Sequence, residues 1–200
     1  PLQDAILSIL SERILVVPEL PATQSTLYAK AGFNIIATAN SIDEGLQRMS
    51  AALKRRLSFE HIQPIRHIED EMDVILWETV KRMAASNIAI TPDAELIEVL
   101  AVIFHELRNG QTLDGRSTDR LAGATMSTAE AVTVAHAIYT HAYYYQQTEP
   151  DAALLLHVLL GSALKDQPQD RRRLKHYVET EFAERQGKFW QALYQQRSLI

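Results

Sequence analysis

The sequence predicts a mainly α protein in which a short α/β segment, residues 1–63, precedes a longer helical segment, residues 64–200. Three observations lead there. Apolar residues recur at helical spacing through most of the chain. One run, Phe33-Asn34-Ile35-Ile36-Ala37-Thr38-Ala39-Asn40, is short and β-branched and is preceded by Gly32, as a buried parallel strand should be. Pro64 to His67 forms a joint after which no strand-like run is found.

The elements follow in order. Leu2, Ala5, Ile6, Ile9 and Leu10 make one face of a first helix that runs to about residue 13. Residues 14–31 alternate weakly, pass through Pro18 and Pro21, and read as a hairpin. The strand at 33–40 comes next, and Ser41-Ile42-Asp43-Glu44 has the pattern of a capping box opening a short helix near Gly45. Leu57 to Ile62 reads as a last strand. Beyond the joint, Ile68 to Ala85 is a helix with Ile68, Met72, Ile75, Leu76, Val80 and Met83 on one apolar face. Thr91-Pro92-Asp93 reads as a cap with Pro at the first helical position, launching a helix that ends at Asn109-Gly110. Ser127 to Glu130 is a second capping box, for a helix reaching about Tyr145. Asp151 to Lys165 and a long helix from Pro168 to about Gln195 complete the chain.

Composition excludes several classes of function. A chain of 200 residues that is 46% hydrophobic can bury a core. The net charge of −5 gives no bulk attraction for nucleic acid or an anionic membrane. With 0 cysteines there are neither disulfides nor thiol chemistry, which suits a reducing compartment. No apolar run approaches the roughly 20 residues needed to span a bilayer as a helix, and a cytoplasmic location is the expectation.

The residues that carry chemistry lie at the end of the expected strand and just after it. In open α/β folds, ligands sit beyond the carboxyl ends of the strands, so Asn40 is placed where an amide could orient a water or a phosphate. Ala51-Ala52-Leu53-Lys54-Arg55-Arg56-Leu57 then brings paired arginines, the residue type that neutralises charge in phosphoryl transfer. The plainer alternatives are an Asn that ends a strand in a turn and a basic helix end that complements the helix dipole. An amide and an arginine at this separation point to nucleotide hydrolysis.

These segments resemble the second half of an AAA+ ATPase module, and in particular its MoxR branch. Pro1 to Arg13 is similar to the family's helix after the Walker B strand. Phe33 to Asn40 looks like its F-x-x-x-A-T-x-N segment, and Ala52 to Leu57 like its A-x-x-x-R-F segment, with Leu57 in place of Phe. The resemblance implies that Asn40 is sensor 1 and that Arg56, or its neighbour Arg55, is an arginine finger reaching the next subunit's nucleotide. It implies that Arg116 or Arg120, in Gly115-Arg116-Ser117-Thr118-Asp119-Arg120, stands where the family carries sensor 2, although Thr118 and Asp119 replace the usual Pro-Arg. It further implies ATP and Mg²⁺ as cofactors, self-assembly into a ring (commonly a hexamer), and chaperone-like remodelling of a client protein. A partner with a von Willebrand factor A domain is a further implication. No G-x-x-x-x-G-K-[ST] phosphate loop occurs in the sequence. The nucleotide pocket is therefore expected in a preceding part, and this segment alone is expected to be inactive. The competing reading is a non-catalytic helical module that binds another protein.

Other clusters point to ordinary roles. His105-Glu106 begins like H-E-x-x-H, but Asn109 replaces the second His, and no zinc site is expected. Tyr139, Tyr143, Tyr144 and Tyr145 lack interleaved basic residues and read as packing between helices or onto a partner. Arg171 to Arg173 with Lys175 is balanced by Glu179, Glu181 and Glu184, a solvated face more than a nucleic-acid site.

Overall fold

The computed structural model describes residues 2–21, 23–38, 50–121, 125–146, 149–165 and 167–200, which fall into two compact units, Pro1–Gln63 and Pro64–Ile200.

In the first unit, helix α1 (Leu2–Glu12) leads into an antiparallel hairpin of β1 (Ile14–Val16) and β2 (Thr26–Tyr28), with Leu15 opposite Leu27. Arg13 takes a left-handed conformation, φ 58°, between α1 and β1, and its carbonyl accepts from Ala29 N–H at 2.9 Å. The predicted hairpin is present. The predicted strands are not: the described residues 33–38 and Leu57 to Ile62 are irregular. A buried parallel strand needs partners on either side, and among the described residues β1 and β2 pair only with each other. Ile36 is accordingly 92% exposed. Asn40, the end of that strand and the helix near Gly45 lie outside the described residues. The four-residue helix α2 (Ala51–Lys54) is capped by the Ser50 side chain, which accepts from Leu53 N–H at 3.2 Å.

The second unit is a bundle of six helices among the described residues: α3 (Ile68–Ala85), α4 (Ala94–Asn109), α5 (Thr128–His141), α6 (Ala152–Ala163), α7 (Pro168–Glu181) and α8 (Lys188–Gln195). At its centre lies α4, buried from Leu96 to Leu107 on every side but that of Glu98, as a helix with apolar residues on most of its circumference must be. It is packed by α3, α5 and α8. Phe104, Leu100 and Ile103 are fully buried, each contributing about 1.5–3 kcal/mol by leaving water.

Helix α3 begins and ends where its periodicity predicts, yet its inward face differs. Glu71, Ile75, Thr79 and Met83 are buried, while Leu76 and Val80 are exposed. The rotation follows from Glu71, whose carboxylate is drawn inward by partners on α4 and α5. Helix α4 starts two residues later than predicted. Asp93, not Thr91, is its cap, with Oδ1 accepting from Glu95 N–H at 2.9 Å, so Pro92 precedes the cap. Gly110 closes it at φ 68°, where a Cβ would stand 2.8 Å from Arg120 Cγ.

The capping box at α5 forms in both directions: Ser127 Oγ accepts from Glu130 N–H at 3.2 Å, and Glu130 Oε2 accepts from Ser127 N–H at 2.8 Å. Ser127→Ala is expected to cost about 1 kcal/mol in denaturant unfolding. After His141 the helix widens into a π-helical turn, Ala142–Gln146. Tyr139 is fully buried, its OH accepts from Asp93 N–H at 2.8 Å, and burial pushes its pKa up to about 12.

The single helix predicted from Pro168 to Gln195 is broken into α7 and α8 around Gly187, φ 127°. The break sends Arg185 back into the bundle, where Nη2 donates to both oxygens of Glu106 at 2.7 and 2.6 Å. Phe182 and Trp190 stack edge to face, centroids 4.8 Å apart, a gain beyond burial alone that outweighs helical continuity.

Candidate functional site

The sequence-predicted residues divide between the two units. In the first, Arg56 follows α2 and is fixed by local contacts. Its Nε donates to Ser11 Oγ at 2.6 Å and its Nη1 to the Ala52 carbonyl at 2.9 Å. Both acceptors are neutral, so the guanidinium is oriented without its charge being cancelled by a described carboxylate. Arg55 caps the same helix through its backbone N–H, bonded to Ala51 O at 3.2 Å, and its side chain is exposed. Oriented donors with uncompensated charge are what an anionic oxygen requires.

In the second unit, Arg116 and Arg120 share the loop between α4 and α5, but make separate contacts. The loop is a closed turn: Thr112 N–H donates to Arg116 O at 2.8 Å and Thr118 N–H to Gly110 O at 3.0 Å. Thr112 Oγ1 donates to Asp114 Oδ1 at 2.6 Å and accepts from Arg116 N–H at 2.9 Å. Arg120 staples the turn to α4, with Nε and Nη2 both donating to the Asn109 carbonyl at 2.9 and 2.7 Å. Arg116 is instead held by charge, its Nε 3.0 Å from Asp114 Oδ2 and its Nη2 2.9 Å from Glu181 Oε2.

Two buried carboxylates frame this loop, and neither is legible as special in the sequence. Glu106, fully buried, accepts from Tyr177 OH at 2.5 Å, from Arg185, and through Oε1 from Leu113 N–H at 3.0 Å. It thus ties the loop to α7 and to the α7–α8 turn. Burial, then the Glu106 charge, pushes the Tyr177 phenol well above its usual range, so Tyr177 stays a donor.

Glu71 is the second. It accepts from Arg108 at 2.8 and 2.6 Å, from Thr128 Oγ1 at 2.7 Å and from His105 Nδ1 at 2.8 Å. Burial raises the Glu71 pKa, but the hydrogen bonds from Arg108, Thr128 and His105 outweigh it and hold the carboxyl below its usual value. A faint signal existed in the spacing of His105 and Arg108, three apart at the end of the mostly apolar run Leu96 to Leu107. Beside this cluster a polar cleft of about 320 Å³ is lined by Arg66, His67, His105, Asn109 and Gln111, among others. No group of three or more His, Asp or Glu side chains suited to a metal ion occurs among the described residues.

A family model described as the YehL-like AAA+ ATPase C-terminal domain matches residues 69–200. The chain belongs to the YehL-like AAA+ ATPase family. The first unit of this YehL-like chain is matched over residues 2–57 by a second model, the AAA domain (dynein-related subfamily). The chain is 43% identical over 197 residues to the uncharacterized protein YehL of Escherichia coli (strain K12), covering 98% of this chain and 53% of that protein. It therefore spans about half the length of the curated relative it matches. No solved structure matches it. An AAA domain implies nucleotide binding. For this YehL-like chain, Arg56, whose described partners are neutral, has the chemistry to face the phosphate end of a nucleotide, and the described carboxylates form no cluster that would hold magnesium. No helix among the described residues is long and apolar enough to cross a membrane.

Proposed function

We propose that the protein of which this chain is a part is a MoxR-like AAA+ ATPase: a cytoplasmic, hexameric ring that couples ATP hydrolysis to chaperone-like remodelling of a client. A protein with a von Willebrand factor A domain is the proposed partner. In this reading residues 1–63 are the second half of the α/β core and residues 64–200 the helical lid with its C-terminal helices. Bound Mg²⁺-ATP supplies the phosphoryl group that passes to water, and this chain supplies positioning and charge. Asn40 orients the water as sensor 1. Arg56, with Arg55 beside it, reaches the neighbouring subunit's nucleotide and neutralises charge that develops on the phosphoryl oxygens. Arg116 serves as the lid arginine. Arg120 has a structural task instead: its Nε and Nη2 hold the Asn109 carbonyl and close the loop onto α4, so turning it to a phosphate would open that turn.

The observation that carries this reading is the setting of Arg56, held in place by Ser11 and Ala52 with no described carboxylate pairing its charge. The test is steady-state ATPase activity of the full-length protein beside Asn40→Ala. Magnesium-dependent turnover reduced by about 10² or more in the variant, with nucleotide still bound, is expected for a residue that positions the nucleophile. Equal turnover removes Asn40 from the mechanism.

The second reading, a non-catalytic interaction module, is favoured by one feature. Val74, Trp77 and Val80 are exposed along one side of α3, Trp77 by 63%. A full-length protein that neither binds nor hydrolyses nucleotide would select it.

A further inference from the structure

Arg116 is held by two carboxylates of different character. Asp114, on the same turn, is 64% exposed at its side chain, whereas Glu181, in the last turn of α7, is only 8% exposed. Glu184 adds negative charge near Arg116, and Arg185 faces Glu181 from the α7–α8 turn while its Nη2 is committed to Glu106. Arg116 is thus the cation that reaches Glu181 from outside the bundle. If it left, a buried carboxylate would lose one of the two guanidiniums that offset its desolvation.

We propose that Asp114 and Glu181 are the positioning residues for Arg116, competing with nucleotide phosphate for its guanidinium, so that nucleotide binding and the seating of α7 are coupled through this one side chain. The proposal rests on the assignment of Arg116 as the lid arginine. Its chemistry is exchange of one oxyanion for another. A phosphate that takes Arg116 must displace a carboxylate from it, and the ligand's apparent affinity falls by the stability of the displaced arrangement. By linkage the effect is reciprocal: bound nucleotide loosens the end of α7 by the same free energy. Glu106 gives the coupling its rigidity, since it anchors Leu113, in the Arg116 turn, and Arg185, beside Glu181, to the same carboxylate.

The sign of the effect separates competition from support. Removing a mere structural support lowers affinity, while removing a competitor raises it. In the full-length protein with magnesium, affinity for a non-hydrolysable ATP analogue is measured for the wild type, Glu181→Gln, Asp114→Asn, Arg116→Ala and the Arg116→Ala/Glu181→Gln double variant. The expected result is about 5-fold or greater tightening for Glu181→Gln, within the usual range of coupling between sites. Asp114→Asn, at an exposed position that does not threaten folding, is expected to tighten less. Arg116→Ala weakens binding and abolishes the gain in the double variant. Unchanged or weaker binding in Asp114→Asn and Glu181→Gln, with Arg116→Ala weakened, overturns the competition and leaves the lid assignment standing. Unchanged affinity in Arg116→Ala removes the lid assignment and the proposal with it. Should Glu181→Gln not fold, the sign of Asp114→Asn decides.

Discussion

Arg56→Ala in the full-length protein is expected to lower ATP turnover by about 10³-fold or more, while ATP affinity changes little. The size follows from what an arginine finger does. Charge spreads over the phosphoryl oxygens in the transition state more than in the ground state, so a cation placed there acts on turnover and not on binding. The contacts in this chain suit that division of effect. Ser11 Oγ at 2.6 Å and the Ala52 carbonyl at 2.9 Å fix the direction of the guanidinium. Neither removes its charge. Arg56→Lys is expected to recover little, since an ammonium cannot make the same forked set of contacts. Steady-state turnover and equilibrium ATP binding, measured on the same preparations, check both halves. Loss of binding in parallel with turnover would mean that Arg56 supports the fold of its unit.

Glu71→Ala is expected to destabilise the helical unit by about 3–5 kcal/mol, the usual cost of removing one partner from a buried ion pair. The carboxylate is fully buried and accepts from three side chains on two helices. Its loss leaves the largely buried Arg108 guanidinium without a countercharge, with the Met126 carbonyl as an acceptor, and removes the tie from α3 to Thr128 at the start of α5. Against total stabilities of about 5–15 kcal/mol this is a large fraction, and denaturant unfolding of the chain would show it as a lower midpoint. The same site predicts a pH dependence. The folded pKa of Glu71 lies below its ordinary 4.5, so its stabilisation is present above that value. It is lost as pH falls through the lower, folded pKa. The gap between wild type and Glu71→Ala should therefore narrow in acid, below about pH 4.5. A variant within about 1 kcal/mol of wild type at neutral pH would show that Arg108 and His105 find other partners.

Helices whose ends are written in short-range chemistry were legible. The reciprocal bonds of Ser127 and Glu130, and Gly110 at the end of α4, are set within a few residues. So was the hairpin of Ile14–Val16 with Thr26–Tyr28. What depends on distant residues was not legible. Residues 33–38 read as a strand, but a strand exists only with a partner, and their apolar pattern carries no record of one. Residues 168–195 read as one helix, because Arg185 meets Glu106 across the bundle and Phe182 meets Trp190 only once the chain has turned between α7 and α8. Glu71 hides among Glu69 and Asp70 in an acidic first turn that suits any helix N-terminus. Of the residues proposed to act, Arg56 and the alternatives Arg116 and Arg120 were singled out by motif order, whereas Glu181 and Asp114 become visible only once Arg116 has a position in space.

The central claim is that this segment completes a neighbour's active site. It is tested most directly by mixing two inactive full-length variants, Asn40→Ala and Arg56→Ala, and measuring turnover of the mixed assemblies. If Asn40 acts within its own subunit and Arg56 across the interface, an equal mixture should recover roughly a quarter of wild-type turnover, the share of interfaces that pair an intact Asn40 with an intact Arg56. A mixture as inactive as its components, although it assembles, would contradict the account.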